Sequence, residues 1–416
     1  MTFATLGLDP RLVDALTTAN LTEPTQVQSD TIPVILAGKD VMVGAQTGTG
    51  KTAAFSLPIL HQLLQSPADN IRMLVLTPTR ELAQQVYANI RTYAANTSLK
   101  VIQAYGGVSL TPQIQALSQG CDILIATPGR LLDLMFKQVV DFSGLAYLVF
   151  DEADRMLDMG FKDEINRVLR RLPAQRQTLL FSATLDDSIF ALSKRLLNQP
   201  EVIEVHARNS TVSTVEQIVY QVDADRKREL VSYLIGARNW HQVLLFSRTK
   251  QGADALAKEM SKDGIPSDSI HGDKSQGARD RALENFKSGK IRALIATDVA
   301  SRGIDIPELE YVINVDLPYQ AEDYIHRIGR TGRAGKSGMA ISLLSPDENW
   351  LLEEIETLLK SRLPQQWLAG FEPDLNKPAV SNRRDSNSAQ RRRAKSRAMG
   401  NASGNKRRRN KPNSPR

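Results

Sequence analysis

The residues from 45 to 52 are typical of a loop that binds the phosphates of a nucleotide. Gly48 and Gly50 let backbone amides wrap around phosphate oxygens, Lys51 can reach the outer phosphates, and the Thr52 hydroxyl can hold a magnesium ion. An apolar run precedes the loop and a helical pattern follows it, so the helix N-terminus adds positive potential. The alternative is an ordinary glycine-rich turn. The predicted loop comprises Ala45, where the common pattern has Gly, and Gln46, Thr47, Gly48, Thr49, Gly50, Lys51 and Thr52.

A pair of carboxylates follows another apolar run, Tyr147–Phe150. Side chains at the carboxyl end of a parallel strand face the crevice where ligands bind. Asp151 is therefore placed to hold magnesium, partly through water, and Glu152 to orient and deprotonate an attacking water. The alternative is that both acids simply favour the first turn of a helix over 153–159. Together with the phosphate loop, they predict hydrolysis of ATP.

Three arginines recur at every third position near the end of a helical stretch in the second half of the chain: Arg327, Arg330 and Arg333. Gly329 and Gly332 lie between them and allow the backbone to approach a ligand closely. The sequence permits a solvated basic turn or arginine fingers supplied to the transferring phosphoryl group across a cleft.

Alternation of short apolar runs with helical stretches predicts parallel sheets covered on both faces, in two α/β domains of similar build. We place the first domain at 1–205, a polar linker at 206–214, the second domain at 215–371 and a basic tail at 372–416. The predicted strands are Val41–Ala45, Met73–Thr77, Val101–Ala104, Ile123–Ala126, Tyr147–Phe150 and Thr178–Phe181, then Val215–Val222, Val243–Phe246, Ser269–His271, Ala293–Ala296, Tyr311–Val315 and Met339–Leu343.

Charge is distributed unevenly along the 416 residues, which carry +7 overall. Residues 381–416 hold 13 Lys and Arg against one acid, so the rest of the chain is mildly acidic. With almost no large apolar side chains, the tail is expected to be disordered.

Neither an apolar run of the about 20 residues that span a bilayer nor a secretory signal is apparent, so we expect no membrane association. The single cysteine, Cys121, fits a reducing compartment, and we expect a cytoplasmic protein.

These motifs, in this order, resemble the DEAD-box RNA helicases, and the body of the chain is most similar to the bacterial RhlE-type branch. The resemblance covers roughly residues 1–345. It implies two RecA-like domains, with ATP and Mg²⁺ as ligands, and an RNA-dependent ATPase that unwinds short duplexes or remodels RNA–protein complexes. It assigns catalysis to Glu152, Lys51, Asp151, Arg330 and Arg333.

The resemblance also implies the residues that recognise the nucleoside. Gln28 would read the adenine edge, Phe3 would pack on the base, and Asp305 would meet the ribose. The sequence offers Gln28 a second role, because Thr25 and Gln28 have the spacing of a helix capping box. Asn20-Leu21 departs from the usual Gly plus aromatic, which weakens aromatic support near the base.

Further segments correspond to the RNA-binding and coupling motifs of the family. Their glycines and arginines suit backbone and phosphate contacts, which position a strand without reading its sequence. Ser301 replaces a frequent Ala in one segment, which we expect to be harmless. The implied coupling residues are Asp154, Ser182, Thr184 and His326, and the implied RNA-binding residues are Arg80, Gly107, Thr127, Pro128, Gly129, Arg130, Arg248, Gln276, Arg279 and Thr297.

The implied mechanism is closure of the cleft between the domains when ATP and RNA bind, followed by hydrolysis and reopening. Two rival functions are a DNA helicase and an RNA clamp or chaperone that closes on ATP but rarely hydrolyses it. The Gln28 segment and the Asp151–Asp154 tetrad favour RNA, and the complete catalytic set argues against a clamp. We expect a monomer that binds RNA of any sequence, and the resemblance is compatible with partners in ribosome assembly or RNA degradation. For the basic tail, we favour a role as an RNA tether over a solubility tail or an import signal.

Overall fold

The structure is a computed structural model, and it describes residues 2–45, 48–66, 68–205, 215–301, 309–332 and 338–374. Each half of the chain forms one seven-stranded sheet, and every strand pairing in both sheets is parallel. This confirms the predicted tandem α/β architecture. The predicted linker at 206–214 and nearly all of the tail lie outside the described residues.

In the first domain, the strands are β1 (Val41–Gly44), β2 (Met73–Leu76), β3 (Val101–Ala104), β4 (Ile123–Ala126), β5 (Tyr147–Phe150), β6 (Gln177–Ser182) and β7 (Glu201–Glu204). Their order across the sheet is β3-β4-β2-β5-β6-β1-β7. The helices are α1 (Pro10–Thr18), α2 (Gln26–Leu36), α3 (Lys51–Gln65), α4 (Arg80–Tyr93), α5 (Thr111–Leu117), α6 (Pro128–Phe136), α7 (Ala153–Asp158), α8 (Lys162–Leu169) and α9 (Asp187–Leu196).

In the second domain, the strands are β8 (Val215–Gln221), β9 (Val243–Phe246), β10 (Ser267–Ile270), β11 (Ala293–Ala296), β12 (Tyr311–Asn314), β13 (Gly338–Leu344) and β14 (Gln365–Gln366). Their order is β10-β11-β9-β12-β13-β8-β14. The helices are α10 (Lys227–Ala237), α11 (Lys250–Lys262), α12 (Gln276–Lys287), α13 (Asp298–Ser301), α14 (Ala321–Ile328) and α15 (Asn349–Leu359).

All twelve predicted strands exist; five have the predicted bounds, and the ends of the others are shifted by one or two residues. The sequence missed β7 and β14, the two strands that extend the sheets at one edge. β7 reads Glu-Val-Ile-Glu and is mostly exposed, and β14 has only two residues. Apolar runs mark strands buried on both faces, so these solvated edge strands carried no such signal.

Apolar side chains fill both faces of each sheet. In the first domain, α1 to α4 cover one face, with Phe55 and Phe181 in edge-to-face contact at 5.3 Å. The helices from α6 to α9 cover the other face. Along β2, Met73 and Val75 point to the first face while Leu74 and Leu76 point to the second, as strand geometry requires. No helix within the described ranges has the length and apolar character needed to cross a membrane.

A buried ionic cluster stabilises the carboxyl-terminal part of the second domain. Glu348 is 1% exposed and accepts hydrogen bonds from Lys227 Nζ, from Arg248 Nη2 at 2.6 Å and from Ser345. Lys227 also donates to the Val315 carbonyl, so the cluster joins four separate segments of the chain. Removing one member of such a buried cluster leaves uncompensated charge, which typically costs about 3–5 kcal/mol.

Glu348→Gln is therefore expected to lower the free energy of unfolding of the second domain by about 3 kcal/mol. Urea unfolding followed by tryptophan fluorescence measures this domain selectively, because Trp240, Trp350 and Trp367 all lie in it. Glu354→Gln, on the exposed side of the same α15 helix, is the control and should change stability little. Equal unfolding midpoints for the two variants would contradict the assigned role of the cluster.

Candidate nucleotide and RNA site

The phosphate loop lies between β1 and α3, as its sequence predicts. Gly48 and Gly50 have φ of 89° and 91°, in the left-handed region that other residues avoid, and Gly50 directly precedes α3. Lys51 is buried, and its Nζ donates a 2.8 Å hydrogen bond to the carbonyl oxygen of Ala45. Thr49 lies between the two glycines, and Thr52 is half-buried in the first turn of α3. Gln46 and Thr47 lie outside the described residues.

Gln28 contacts this loop directly. Its Nε2 donates to the carbonyl of Gly50 at 3.1 Å, and its Oε1 accepts from the backbone amide of Thr25 at 2.9 Å. The Thr25 hydroxyl in turn donates to the carbonyl of Thr49 at 2.8 Å. A Cβ on Gly50 would lie 2.3 Å from Gln28 Nε2, so this close packing requires glycine. The capping box is confirmed.

Adenine recognition by Gln28 stays a prediction. The amide group of this residue has one further N–H and a further lone pair for a ligand. Phe3, predicted to pack on the base, is 3% exposed and belongs to the apolar core with Leu8 and Leu12. Core side chains cover its ring in this structure, and its contact with the base stays a prediction.

Asp151 and Glu152 follow β5 and are both 3% exposed. Burial raises the pKa of Asp151 to about 7, an effect that the nearby charge of Lys51 opposes and that of Glu152 reinforces. Asp151 Oδ1 is buried and has no hydrogen-bond partner within the described part of the chain. An uncompensated oxygen of this kind, close to a phosphate loop, fits a divalent cation, which prefers carboxylate and hydroxyl oxygens.

Glu152 is held in an unusual backbone conformation, with φ of 55° and ψ of 54° at the start of α7. Its Oε2 accepts a 2.9 Å hydrogen bond from Arg155, whose side chain is almost completely buried. Left-handed backbone at a non-glycine residue costs about 1–3 kcal/mol and is concentrated at functional sites. Sequence reasoning missed Arg155, although a cation three residues after a carboxylate at the start of a helix is a recognisable ion-pair spacing.

A short chain of hydrogen bonds connects these carboxylates with β6. Asp154 Oδ2 accepts from the backbone amide of Ala183 at 3.1 Å, and the carbonyl of Ser182 accepts from the amide of Ala45 at 3.0 Å. The Thr184 amide lies 3.4 Å from the Ser182 hydroxyl. The structure therefore brings together Asp154, Ser182 and Thr184, the predicted coupling residues of this domain, next to the phosphate loop.

The predicted RNA segments of the first domain follow three adjacent strands. Arg80 begins α4 after β2, Thr127–Arg130 follows β4, and Gly107 follows β3. The Thr127 and Arg130 side chains are buried, Pro128 and Gly129 form the first turn of α6, and Arg130 donates to the Val108 carbonyl at 2.9 Å. Gly107 has φ of 78°, and a Cβ there would lie 2.0 Å from the Arg80 guanidinium.

The second domain repeats this arrangement. Arg248 follows β9, Gln276 and Arg279 lie in α12 after β10, and Thr297 follows β11; these three strands are also adjacent. Arg248 pairs with Glu348 at 2.6 Å and its guanidinium lies 5.1 Å from the centre of the exposed Tyr319 ring. Thr297 is buried.

Side chains of the two domains meet across the cleft. Arg279 Nη2 lies 2.7 Å from Glu81 Oε1, and Gln276 is 3.3 Å from the same oxygen through its Nε2. Gln276 Oε1 also accepts from Arg80 at 3.4 Å. Glu81 is only 6% exposed. Sequence reasoning assigned Gln276 and Arg279 to RNA and overlooked Glu81, which in this structure is their partner.

Arg327 within α14 and Arg330 just after it have different environments. Arg327 is fully buried and makes a bidentate pair with Asp298, with distances of 2.5 and 2.8 Å, so its role is to support the domain. Arg330 is 7% exposed and follows the helix. His326 lies 3.9 Å from Asp323. Arg333 and Asp305 lie outside the described residues, and their predicted roles are not tested.

Comparison with known proteins agrees with this geometry. The DEAD/DEAH box helicase model matches residues 25–192, and the helicase conserved C-terminal domain model matches residues 225–335. The ATP-dependent RNA helicase CshA of Listeria monocytogenes is 41% identical over 361 residues, which cover 87% of this chain and 69% of CshA.

Two solved structures extend the comparison to the fold. Saccharomyces cerevisiae Dbp5 bound to RNA and ADP BeF3 has a TM-score of 0.79 at 28% identity, covering 94% of this chain and 99% of Dbp5. A DEAD box protein from Methanococcus jannaschii has a TM-score of 0.52 at 37% identity, covering 88% of this chain and 99% of that protein. Matches of this extent in sequence and in fold show that the chain belongs to the DEAD/DEAH box helicase family.

Proposed function

We propose that this chain is an ATP-dependent RNA helicase, which couples hydrolysis in the cleft to local unwinding of short RNA duplexes or to remodelling of RNA–protein complexes. The observation that carries the proposal is the contact of Glu81 with Arg279 and Gln276 across the cleft. Phosphate-binding residues and RNA-side residues occupy separate strand ends of the same sheets, so closing the domains affects both ligands at once.

The phosphate loop would hold the nucleotide through the backbone amides from Gly48 to Lys51. Lys51 would exchange its hydrogen bond with the Ala45 carbonyl for the outer phosphates. The Thr52 hydroxyl and the Asp151 carboxylate would hold Mg²⁺, which neutralises phosphate charge when bound. Glu152, held by Arg155, would orient the attacking water and accept its proton.

Arg330 and Arg333 would complete the site from the second domain. Guanidinium groups beside the transferring phosphoryl group stabilise the charge that develops in the transition state. The buried pair of Arg327 and Asp298 anchors the helix that precedes them. The ATP-bound closed form would then hold RNA through phosphate contacts, and loss of phosphate would release it.

Several finer assignments belong to this proposal. The RhlE-type branch rests on the resemblance alone, and the relative described above carries the name CshA. Domain limits at 205 and 215, a monomeric state, a cytoplasmic location, the RNA tether in the tail, and partners in ribosome assembly or RNA degradation likewise stay predictions.

The experiment that tests the proposed function compares ATP hydrolysis with RNA and with DNA of the same length and sequence. We expect RNA alone to stimulate turnover, since the ribose 2′-hydroxyl distinguishes the two nucleic acids. Equal stimulation by DNA would favour a DNA helicase. Turnover that stays at background with saturating RNA would favour a clamp.

Glu152→Gln should still bind ATP and RNA but lose at least about 100-fold in turnover, because the shape is kept while the base is lost. The variant is expected to accumulate in the closed form, which gel-shift assays with ATP and labelled RNA would detect as a long-lived complex. Asp187→Asn, an acid-to-amide change at the exposed start of α9, is the control. Loss of ATP-dependent RNA affinity in Glu152→Gln would contradict the proposed role.

The contact between Glu81 and Arg279 predicts a reciprocal effect on closure. Glu81→Arg should weaken ATP-dependent closure by placing like charges together, and Glu81→Arg combined with Arg279→Glu should restore part of it. Fluorescence energy transfer between dyes on Lys137→Cys and Lys258→Cys would measure closure in each background. Cys121 will interfere little, since burial raises the pKa of its thiol to about 12. Equal closure in all variants would show that the contact is incidental.

A further inference from the structure

A groove of about 800 Å³ runs along the outer edge of β3 in the first domain. One wall comes from α4, through Tyr87 and Arg91, and the other comes from α5 and the residues before it, through Pro112 and Gln113. Residues of β3 form the floor. None of these residues takes part in the function proposed above.

The groove begins where the row of RNA segments in this domain ends. These segments follow β2, β4 and β3, and β3 is the outermost strand of the sheet. Tyr105 and Val108, which flank Gly106 and Gly107, both line the groove. A strand that crosses the three segments in order therefore leaves the domain over the edge of β3, at the mouth of the groove.

The charge of the groove suits an anionic occupant. Arg91 and Lys100 are exposed along it, and its described lining contains no Asp or Glu. The basic tail at 381–416 is a poor occupant because like charges repel. A phosphate backbone has the complementary charge, and each neutralised phosphate of a single strand adds about 0.7 to the salt dependence of binding.

The lining also offers groups that bind nucleosides. Tyr87 and Tyr105 are both half-buried and pack against the core of the domain; Arg91 lies 5.6 Å from the centre of the Tyr87 ring, and the Tyr105 hydroxyl accepts a 2.8 Å hydrogen bond from Gln84. Tyrosine rings of this kind are stacking platforms for bases. The amide oxygens of Gln103 and Gln113 are buried and without a hydrogen-bond partner among the residues that the structure describes, so small side-chain rotations would present acceptors to base amino groups or ribose hydroxyls.

We propose that the β3 groove is an accessory binding site for single-stranded RNA, which takes the part of the strand that extends beyond the three RNA segments of the first domain. The inference rests on the proposed function, because it needs RNA to lie across those segments. An acidic peptide that adds a strand to the free edge of β3 is the other occupant this shape admits. Continuity with the RNA segments favours RNA.

The test measures affinity by fluorescence anisotropy with a non-hydrolysable ATP analogue present. It compares a core RNA of about ten uridines with the same RNA carrying about five adenosines added at its 5′ or at its 3′ end. We expect extension at one end only to strengthen binding by about tenfold, the effect of roughly one stacked base. The double variant Arg91→Glu, Lys100→Glu should lose this gain and keep its affinity for the core RNA.

The matched control is Lys162→Glu, Lys194→Glu, which changes the net charge equally on exposed positions of α8 and α9. It should retain the gain from the extension. Loss of the gain in both double variants, its retention in the groove variant, or no gain at either end would overturn the inference. Binding of a peptide of alternating Glu and Val to the wild type but not to the groove variant, without any gain for RNA, would assign the groove to strand addition.

The same measurements separate this inference from the function on which it rests. Failure of the core RNA to bind in the presence of the ATP analogue would count against the proposed function itself. Normal binding of the core RNA together with an absent extension effect would leave that function intact and remove only the accessory site.

Discussion

The parallel direction of the strands is the constraint on which the rest of this structure depends. Parallel strands bring all their carboxyl ends to one edge of a sheet, and ligands of open α/β sheets bind at that edge. In the first domain this edge has two halves. The ends of β5, β6 and β1 carry the carboxylates, the coupling segment and the phosphate loop, whereas the ends of β2, β4 and β3 carry the RNA segments. In the proposed function, strand order would separate the two ligands while keeping them on one rigid element.

Hydrogen bonds connect the carboxylates, the predicted coupling segment and the phosphate loop within one half of this edge. β5 lies between β2 and β6, so the strand that leads to Asp154 borders the half with the predicted RNA segments. The Asp154 carboxylate accepts from Ala183, and Ser182 accepts from Ala45 at the start of the phosphate loop. A shift in the loop can therefore reach the carboxylates through a few short bonds. Hydrogen-bond networks in a packed interior switch between two discrete arrangements more easily than they deform gradually, because close packing resists gradual deformation.

The second domain likewise places its predicted RNA segments after three adjacent strands, and it carries Arg330, a predicted arginine finger. β9, β10 and β11 precede its RNA segments, and β12 precedes the helix that leads to Arg330. The contact between Glu81 and Arg279 affects the stability of the arrangement in which the two domains meet. Glu81 is 6% exposed in this arrangement and its carboxylate is paired with Arg279, so loss of the cation would leave a buried charge without its partner.

Much of this could be predicted from the sequence by itself. Two sheets, twelve of the fourteen strands and the phosphate loop follow from local signals: apolar runs for buried strands, glycines for a positive φ, and carboxylates after a strand. Those signals depend on neighbours along the chain, which the sequence contains directly. β7 and β14 were not predicted, because solvated edge strands have no apolar pattern.

The tertiary structure alone decided which distant groups meet. Arg155 supports Glu152 in a backbone conformation that the sequence does not reveal, Phe3 is buried in the core, and Glu81 finds Arg279 nearly two hundred residues away. The groove beside β3 likewise exists only because strand order places that strand outermost. Contacts of this kind depend on how sheets and domains pack, and such packing is a property of the whole chain that no local pattern encodes.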